Sequence, residues 1–337
     1  MVTVLRVLCL GPVEAGVAAC METHLEDWRS RDDFAKYGLV VRYLQDTLQL
    51  GVEENKVLAI IASSFTNDFS LSTAEGGEVH CLLPLTAMLN HSCFPNISRS
   101  IRKLPDGRFL MRVLAARPIK KGEQIFNSYT DMLDPVQVRR AALQEAKNLA
   151  CRCVRCEDPR DLGSYGNAVL CPACRGALLP PPGCRGDFWT CEQCPKTVAS
   201  PMVDALVHSL DKEQKAALAD PETKTVRTLE KLIKKWGKRL DPRNLLVVRL
   251  KYNLLALYGR QRGFSQAEMT EELWARKREL CEEVAESLKV LEPGMTVRKA
   301  RLLQELHLPI LMLAQVNTAL HAQTDIALVK GHVRRDC

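Results

Sequence analysis

Residues 90–96 read NHSCFPN: Asn90, His91, Ser92, Cys93, Phe94, Pro95 and Asn96. An amide, an imidazole, a hydroxyl and a thiol stand together, and the apolar run CLLPLTAML (81–89) leads into them. Ordinary loops run over the surface among polar neighbours. A polar cluster with a thiol at the end of an apolar run belongs instead at the edge of a core, where side chains have work besides solvation.

The sequence on either side supplies that core. Downstream, ISRSI (97–101) alternates, Pro105-Asp106-Gly107 turns, and RFLMRVLAARPI (108–119) alternates again, which predicts a β-hairpin. KKGEQIFNSYT (120–130) reads as a further short strand after a Lys121-Gly122 turn. DPVQVRRAALQEAKNL (134–149) reads as a helix with Asp134 as N-cap and Pro135 at its first position. Upstream, Phe34, Tyr37, Val41, Leu44 and Leu48 recur at three and four residues, one face of a helix that Gly51 stops. VEENKVLAIIASSF (52–65) reads as a second helix.

Cysteine usage carries the next step. Of 14 cysteines, eight fall between 151 and 194. Close pairs two or three residues apart suit metal chelation, whereas disulfides join distant positions. Cys171-Pro-Ala-Cys174 and Cys191-Glu-Gln-Cys194 form two CxxC knuckles, the spacing of a four-thiolate tetrahedral zinc ribbon. The plain alternative is two chance pairs of buried thiols. Cys151-Arg-Cys153-Val-Arg-Cys156 offers three more ligands, one short of a closed site. Cys184 is near in sequence; Cys81 and Cys93 are distant, and local physics does not choose among them. A metal held this way would staple segments that lack a shared core.

From about residue 200 the chain reads as helical to its end. PMVDALVHSLDKEQKAALA (201–219) is one helix; Asp220-Pro221 and Asp241-Pro242 open two more. Ser265 to Glu268 is a capping box for a fourth. VRKARLLQELHLPILMLAQVNTALHA (297–322), with Pro309 inside, is a fifth. Successive helices of this length form a helix-hairpin array with no strict repeat.

Bulk properties bound the rest. The chain has 337 residues, 46% hydrophobic and 26% charged, ordinary for a globular protein of two or three domains. No apolar run approaches the roughly 18–20 residues that span a bilayer. Arg6 interrupts the apolar N-terminus and no basic residue precedes it, so that stretch reads as an internal element and not a signal peptide. With so many clustered thiols, a reducing compartment is expected: nucleus or cytoplasm. The net charge of +7 and the basic helix end Lys231 to Arg239 suit an acidic protein partner; with only 5% aromatic residues, nucleic acid is the weaker candidate.

The order of these motifs is specific. NHSCFPN, then Gly122-Glu123, then Ser128-Tyr129, then Cys151-x-Cys153-x-x-Cys156 resembles a SET domain followed by its post-SET zinc knuckle. The likeness is to the SET-and-MYND lysine methyltransferase family over roughly residues 20–320. Arg155 to Gly163 followed by a CxxC pair resembles the arthropod branch that includes the msta proteins. The resemblance implies an α+β fold: a partial SET β-fold with a helical insert, a zinc-binding post-SET and ribbon segment, and a C-terminal all-α, TPR-like domain. The expected segments are 1–77, 78–150, 151–198 and 199–337.

By the same resemblance, Asn90 and His91 hold S-adenosylmethionine, largely through backbone and the Asn amide. Leu149 packs on its adenine where the family has an aromatic, and Lys147 also stands where an aromatic is common. Tyr129 is the catalytic tyrosine; its plain alternative is a core tyrosine with a satisfied hydroxyl. Cys93 is the fourth thiolate beside Cys151, Cys153 and Cys156, giving two Zn2+ sites in all. The implied activity is methyl transfer to a lysine of a protein substrate. No CxxC pair precedes residue 151 and residues 1–70 hold no Gly-rich turn, so the MYND finger and the N-terminal SET strands are not recognisable, and a fragment with part of a cofactor pocket is expected. The rival expectation is a non-catalytic, zinc-stabilised interaction or transcription-regulatory module.

Overall fold

The computed structural model describes residues 2–72 and 78–333. Within them the chain divides into two compact units. One takes in residues up to 114 with 119–130 and 139–151; the other takes in 115–118, 131–138 and everything from 152.

The first unit opens with helices α1 (Val2–Leu8), α2 (Pro12–Ala19) and α3 (Leu25–Arg29). The single helix expected over the Phe34–Leu48 face is broken. A 3-10 stretch (Asp32–Tyr37), α4 (Gly38–Arg42) and a π turn (Tyr43–Thr47) follow one another. Aromatic packing gives the reason. Residues three apart eclipse in a 3-10 turn, which sets the rings of Phe34 and Tyr37 5.4 Å apart and Tyr37 5.2 Å from Phe65. Phe34, Val41 and Leu44 are buried as expected, but Leu48 falls past the π turn and is exposed. They pack on α5 (Glu54–Asn67), whose Val57, Leu58 and Ile61 complete the small core.

Strands β1 (Asp68–Ser72) and β2 (Glu78–Leu82) pair antiparallel. Pro84 opens the short α6 (Pro84–Ala87), and NHSCFPN follows. The expected hairpin is present as β3 (Ile97–Lys103) and β4 (Phe109–Ala115), turned at Gly107 with φ +85°. The strand expected over 120–130 does not form. After Gly122 (φ +85°) the backbone is claimed by a side chain: Asn96 donates to the Gln124 carbonyl and accepts the Phe126 N–H, both at 2.8 Å. A single parallel bridge, His91 to Asn127, remains. Helix α7 (Val136–Lys147) closes the segment. Asp134, expected as the cap, pairs with Arg249, and the Val136 N–H goes to Asn167 Oδ1 at 2.8 Å.

The second unit contains α8 (Val154–Glu157) and a four-stranded antiparallel sheet in the order β5-β6-β7-β8. The strands are β5 (Val169–Leu170), β6 (Ala177–Leu179), β7 (Phe188–Cys191) and β8 (Thr197–Ala199). Arg155 and Asp161, both with fully buried side chains, meet at 2.9 Å beside this sheet's entry loop. Helices α9 (Ser200–Ala219), α10 (Val226–Trp236), α11 (Leu245–Leu255), α12 (Glu271–Leu291) and α13 (Val297–Val333) then pack successively around Trp236, Leu229, Leu250 and Leu288.

The Asp-Pro steps do not open α10 and α11 directly. Asp220 and Asp241 accept N–H groups two residues on, making side-chain turns. The caps are Thr225, accepting from Thr228, and Asn244, accepting from Leu246. The Ser265–Glu268 box is intact but caps one 3-10 turn, and Thr270 caps α12. The whole is an α+β fold with two four-cysteine clusters and C-terminal helical hairpins.

Candidate active site and metal centres

The two CxxC knuckles sit on the short sheet. Cys171 follows β5, Cys191 ends β7, and the register Leu178 to Cys191 brings the knuckles together. Cys171 Sγ lies 3.7 Å from Cys194 Sγ, and Cys174 Sγ 3.5 Å from Cys191 Sγ. Four thiolates around one ion with bonds of about 2.3 Å have tetrahedral edges of about 3.8 Å, so these spacings fit the ion. Backbone N–H groups of Ala173, Gly176 and Gln193 point at the sulfurs of Cys171, Cys174 and Cys191, each at 3.4 Å. Such donors favour thiolate. The Cys174 N–H, helped by Ala173 and opposed by burial, pulls the Cys171 thiol down to about 6. Cys184 is not in this group.

The second group comprises Cys93, Cys151, Cys153 and Cys156, whose sulfurs all lie within 4.8 Å of one another. Of the three fourth-ligand candidates left open by spacing, Cys81 and Cys184 are outside the group and Cys93 is inside it. The Cys93 and Cys151 sulfurs are 4.0 Å apart, again near a tetrahedral edge. Cys93 is fully buried. Four thiol donors at these spacings fit zinc in both groups.

NHSCFPN is held by its own side chains. Ser92 Oγ accepts the Phe94 N–H at 3.1 Å, and Asn96 makes the bonds to 124–126 given above. The Asn90 carbonyl accepts the Asn127 N–H, and Ser92 N–H returns to the Asn127 carbonyl, both at 2.9 Å. Asn90's side chain is exposed beside this ladder. The His91 ring accepts the Tyr129 N–H at Nδ1 (3.0 Å) and sets Nε2 3.2 Å from Cys93 Sγ. The rings of His91 and Tyr129 lie 5.1 Å apart.

Tyr129 donates its hydroxyl to the Leu89 carbonyl at 2.7 Å. Burial pushes its phenol up from the ordinary value, so it stays protonated and a donor at neutral pH. It lines a cavity of about 270 Å3 with Thr66, Asp68, Phe69, Arg99 and Lys147. Asn90, His91 and Leu149 are not on that wall; Leu149 is half-buried just past α7. Lys147 reaches the Phe65 carbonyl at 3.0 Å and Asp68 at 3.4 Å. Arg99 donates to Asn127 Oδ1 at 3.1 Å and lies 5.1 Å over the Phe69 ring. No carboxylate among the described residues pairs with it, and burial lowers its pKa. Sequence reading passed over Arg99, Asp68 and Asn127. Only Asn127 had a signal, standing two residues before Tyr129.

Residues 20–130, which hold Tyr129 and NHSCFPN, match the SET domain family model. The chain is 32% identical over 183 residues to the SET domain-containing protein SmydA-8, isoform A, of Drosophila melanogaster, covering 53% of this chain and 38% of that one. It is 34% identical over 115 residues to the mouse histone-lysine N-methyltransferase SMYD3, covering 34% of this chain and 26% of that one. Human N-lysine methyltransferase SMYD2 is 27% identical over 138 residues, 40% of this chain and 31% of that one. The chain thus contains a stretch similar to SET domains and has partial likeness to proteins named SMYD. The matches span between about a quarter and two fifths of the relatives' own length.

Proposed function

We propose that this chain is a SET-type protein-lysine methyltransferase, or part of one, of the arthropod branch to which the fly relative points. The observation that carries it is Tyr129: protonated, at the wall of a cavity, within the matched SET stretch and two hydrogen bonds from a buried four-cysteine group. S-adenosylmethionine would supply an electrophilic methyl group. The residues fit part of such a ligand. Asn127 Nδ2 and Thr130 Oγ1 are buried with no partner among the described residues, as donors awaiting an acceptor are. Arg99 offers a cation for a carboxylate, and Asn90 and the backbone of His91 flank them.

Tyr129's part is to accept or donate at the substrate amine and aim its lone pair. A lysine must be neutral to react, yet its ordinary pKa is about 10.4; an apolar, cationic surrounding depresses it. The gain is positional, not covalent. The two cysteine groups hold structural zinc, and the proposed location is nucleus or cytoplasm. No helix among the described residues is long and apolar enough to cross a membrane.

One observation favours the second reading, a non-catalytic zinc-stabilised interaction module. Lys147 lines the Tyr129 cavity, and its ammonium is held by Asp68 and the Phe65 carbonyl, a cation already at the wall where a substrate amine would have to come. Calorimetry with S-adenosylmethionine separates the readings, on this chain and on a form extended N-terminally. Binding in either form supports the enzyme; binding in neither leaves the interaction module. The segments 1–77, 78–150, 151–198 and 199–337 are proposed as the functional divisions.

A further inference from the structure

We propose that the His91 ring is a positioning residue that couples the Cys93 metal group to the backbone of Tyr129. The geometry leaves the ring one assignment. A backbone N–H only donates, so Nδ1, 3.0 Å from the Tyr129 nitrogen, carries a lone pair. The proton of the neutral ring is then on Nε2, which faces Cys93 Sγ at 3.2 Å. Nε2–H donates to the sulfur, and a metal-bound thiolate is the better acceptor. His91 is not itself a ligand: the four atoms that lie within 4.8 Å of one another are all cysteine sulfurs.

Outer hydrogen bonds of this kind fix the orientation of a ligand and tune its metal. Here the same ring also fixes where Tyr129 begins, because the residue's N–H is bound to it and its ring lies 5.1 Å away. The Asn127 ladder to Asn90 and Ser92 holds the two chain segments in register around the imidazole. Filling the metal site therefore orders the imidazole, and the imidazole orders the tyrosine. The inference rests on the metal reading of the Cys93 group and not on methyl-donor binding.

Two substitutions separate the two bonds. Asn places an acceptor where Nδ1 stands and has no reach to Cys93; Gln places a donor where Nε2 stands. His91→Asn should speed release of one of two zinc equivalents to a chromophoric chelator by about 10- to 100-fold, the usual effect of losing an outer-shell partner. The ribbon equivalent should be unchanged. His91→Gln should hold that zinc near the wild-type rate, while the Tyr129 amide loses its protection from hydrogen exchange. The wild-type chain gives a readout that no folding defect can confuse: two-bond 1H–15N spectra should show His91 protonated at Nε2 alone when zinc is bound. Protonation at Nδ1, equal zinc release from both variants, or a wild-type chain that loads only the ribbon zinc overturns the proposal.

Discussion

The sulfurs of Cys93 and Cys151 lie 4.0 Å apart although 58 residues separate them in sequence. Closing a loop of that length costs entropy, and two thiols gain little by meeting. A metal ion held there would supply the missing free energy, since structural zinc contributes about 10–16 kcal/mol in small zinc peptides. The wild-type chain is expected to carry two zinc equivalents by metal analysis. Cys93→Ser should carry one. Retention of two would mean that the 151–156 knuckle finds its fourth ligand elsewhere.

A metal in the ribbon would matter for a different reason. Its strands are two to four residues long, too short to stand by hydrogen bonding alone. Trp189 is on β7 and only 1% exposed. Chelation, or Cys191→Ser, is expected to open the sheet, moving tryptophan emission to longer wavelength while helical circular dichroism is largely kept. An unmoved emission after zinc loss would show that the surrounding core holds the sheet.

Motifs with fixed spacing were legible from sequence, and features set by distant side chains were not. CxxC pairs announce themselves because two sulfurs must converge on one ion; Pro105-Asp106-Gly107 does so because Gly107 needs a positive φ. The missing strand at 120–130 could not be read, because what takes its hydrogen bonds is the Asn96 side chain from 28 and 30 residues earlier. The true caps Thr225 and Asn244 were hidden behind Asp-Pro steps that look like helix starts but form side-chain turns. In the site, the cysteine groups followed from spacing plus resemblance. Arg99 and Asp68 carry no motif and appear only when the cavity brings them beside Tyr129.

Lys277 on α12 has a side chain 2% exposed, bonded to the Tyr258 carbonyl at 2.9 Å and to Glu305 at 2.7 Å. Removing one member of a buried pair strands the other and costs about 3–5 kcal/mol. Arg260 still reaches Glu305 at 2.7 Å, so Lys277→Met belongs at the lower end of that range. A urea transition of the helical hairpins, followed by circular dichroism, should show the lower midpoint. A midpoint equal to wild type would mean that Met packing replaces the pair.

The same pair fixes an acid response. Burial alone would raise Glu305, but the hydrogen bonds from Arg260 and Lys277 outweigh it and hold the carboxyl below its ordinary value. A depressed acid stabilises the fold fully above its unfolded value of about 4.3. That contribution is lost as pH falls through the lower folded value. Thermal stability of the helical hairpins should therefore be flat in this term from neutral pH to about 5 and fall below about 4.3. The fall should be shallower in Lys277→Met, where less stabilisation is left to lose; an equally steep fall would assign the acid response to other carboxylates.

Tyr129 has one bond in the fold and one proposed role in transfer, and Phe would separate them. Its hydroxyl donates to Leu89 at 2.7 Å, so Tyr129→Phe leaves a carbonyl short of a donor and should cost on the order of 1 kcal/mol of stability. A core tyrosine loses no more than that. A tyrosine that orients a substrate amine also loses methyl transfer, with zinc content unchanged. The measurement is transfer to a lysine peptide by mass spectrometry, in whichever form binds S-adenosylmethionine by calorimetry, compared with a thermal shift of the same variant. Transfer that survives in Tyr129→Phe would reduce the residue to its bond with Leu89.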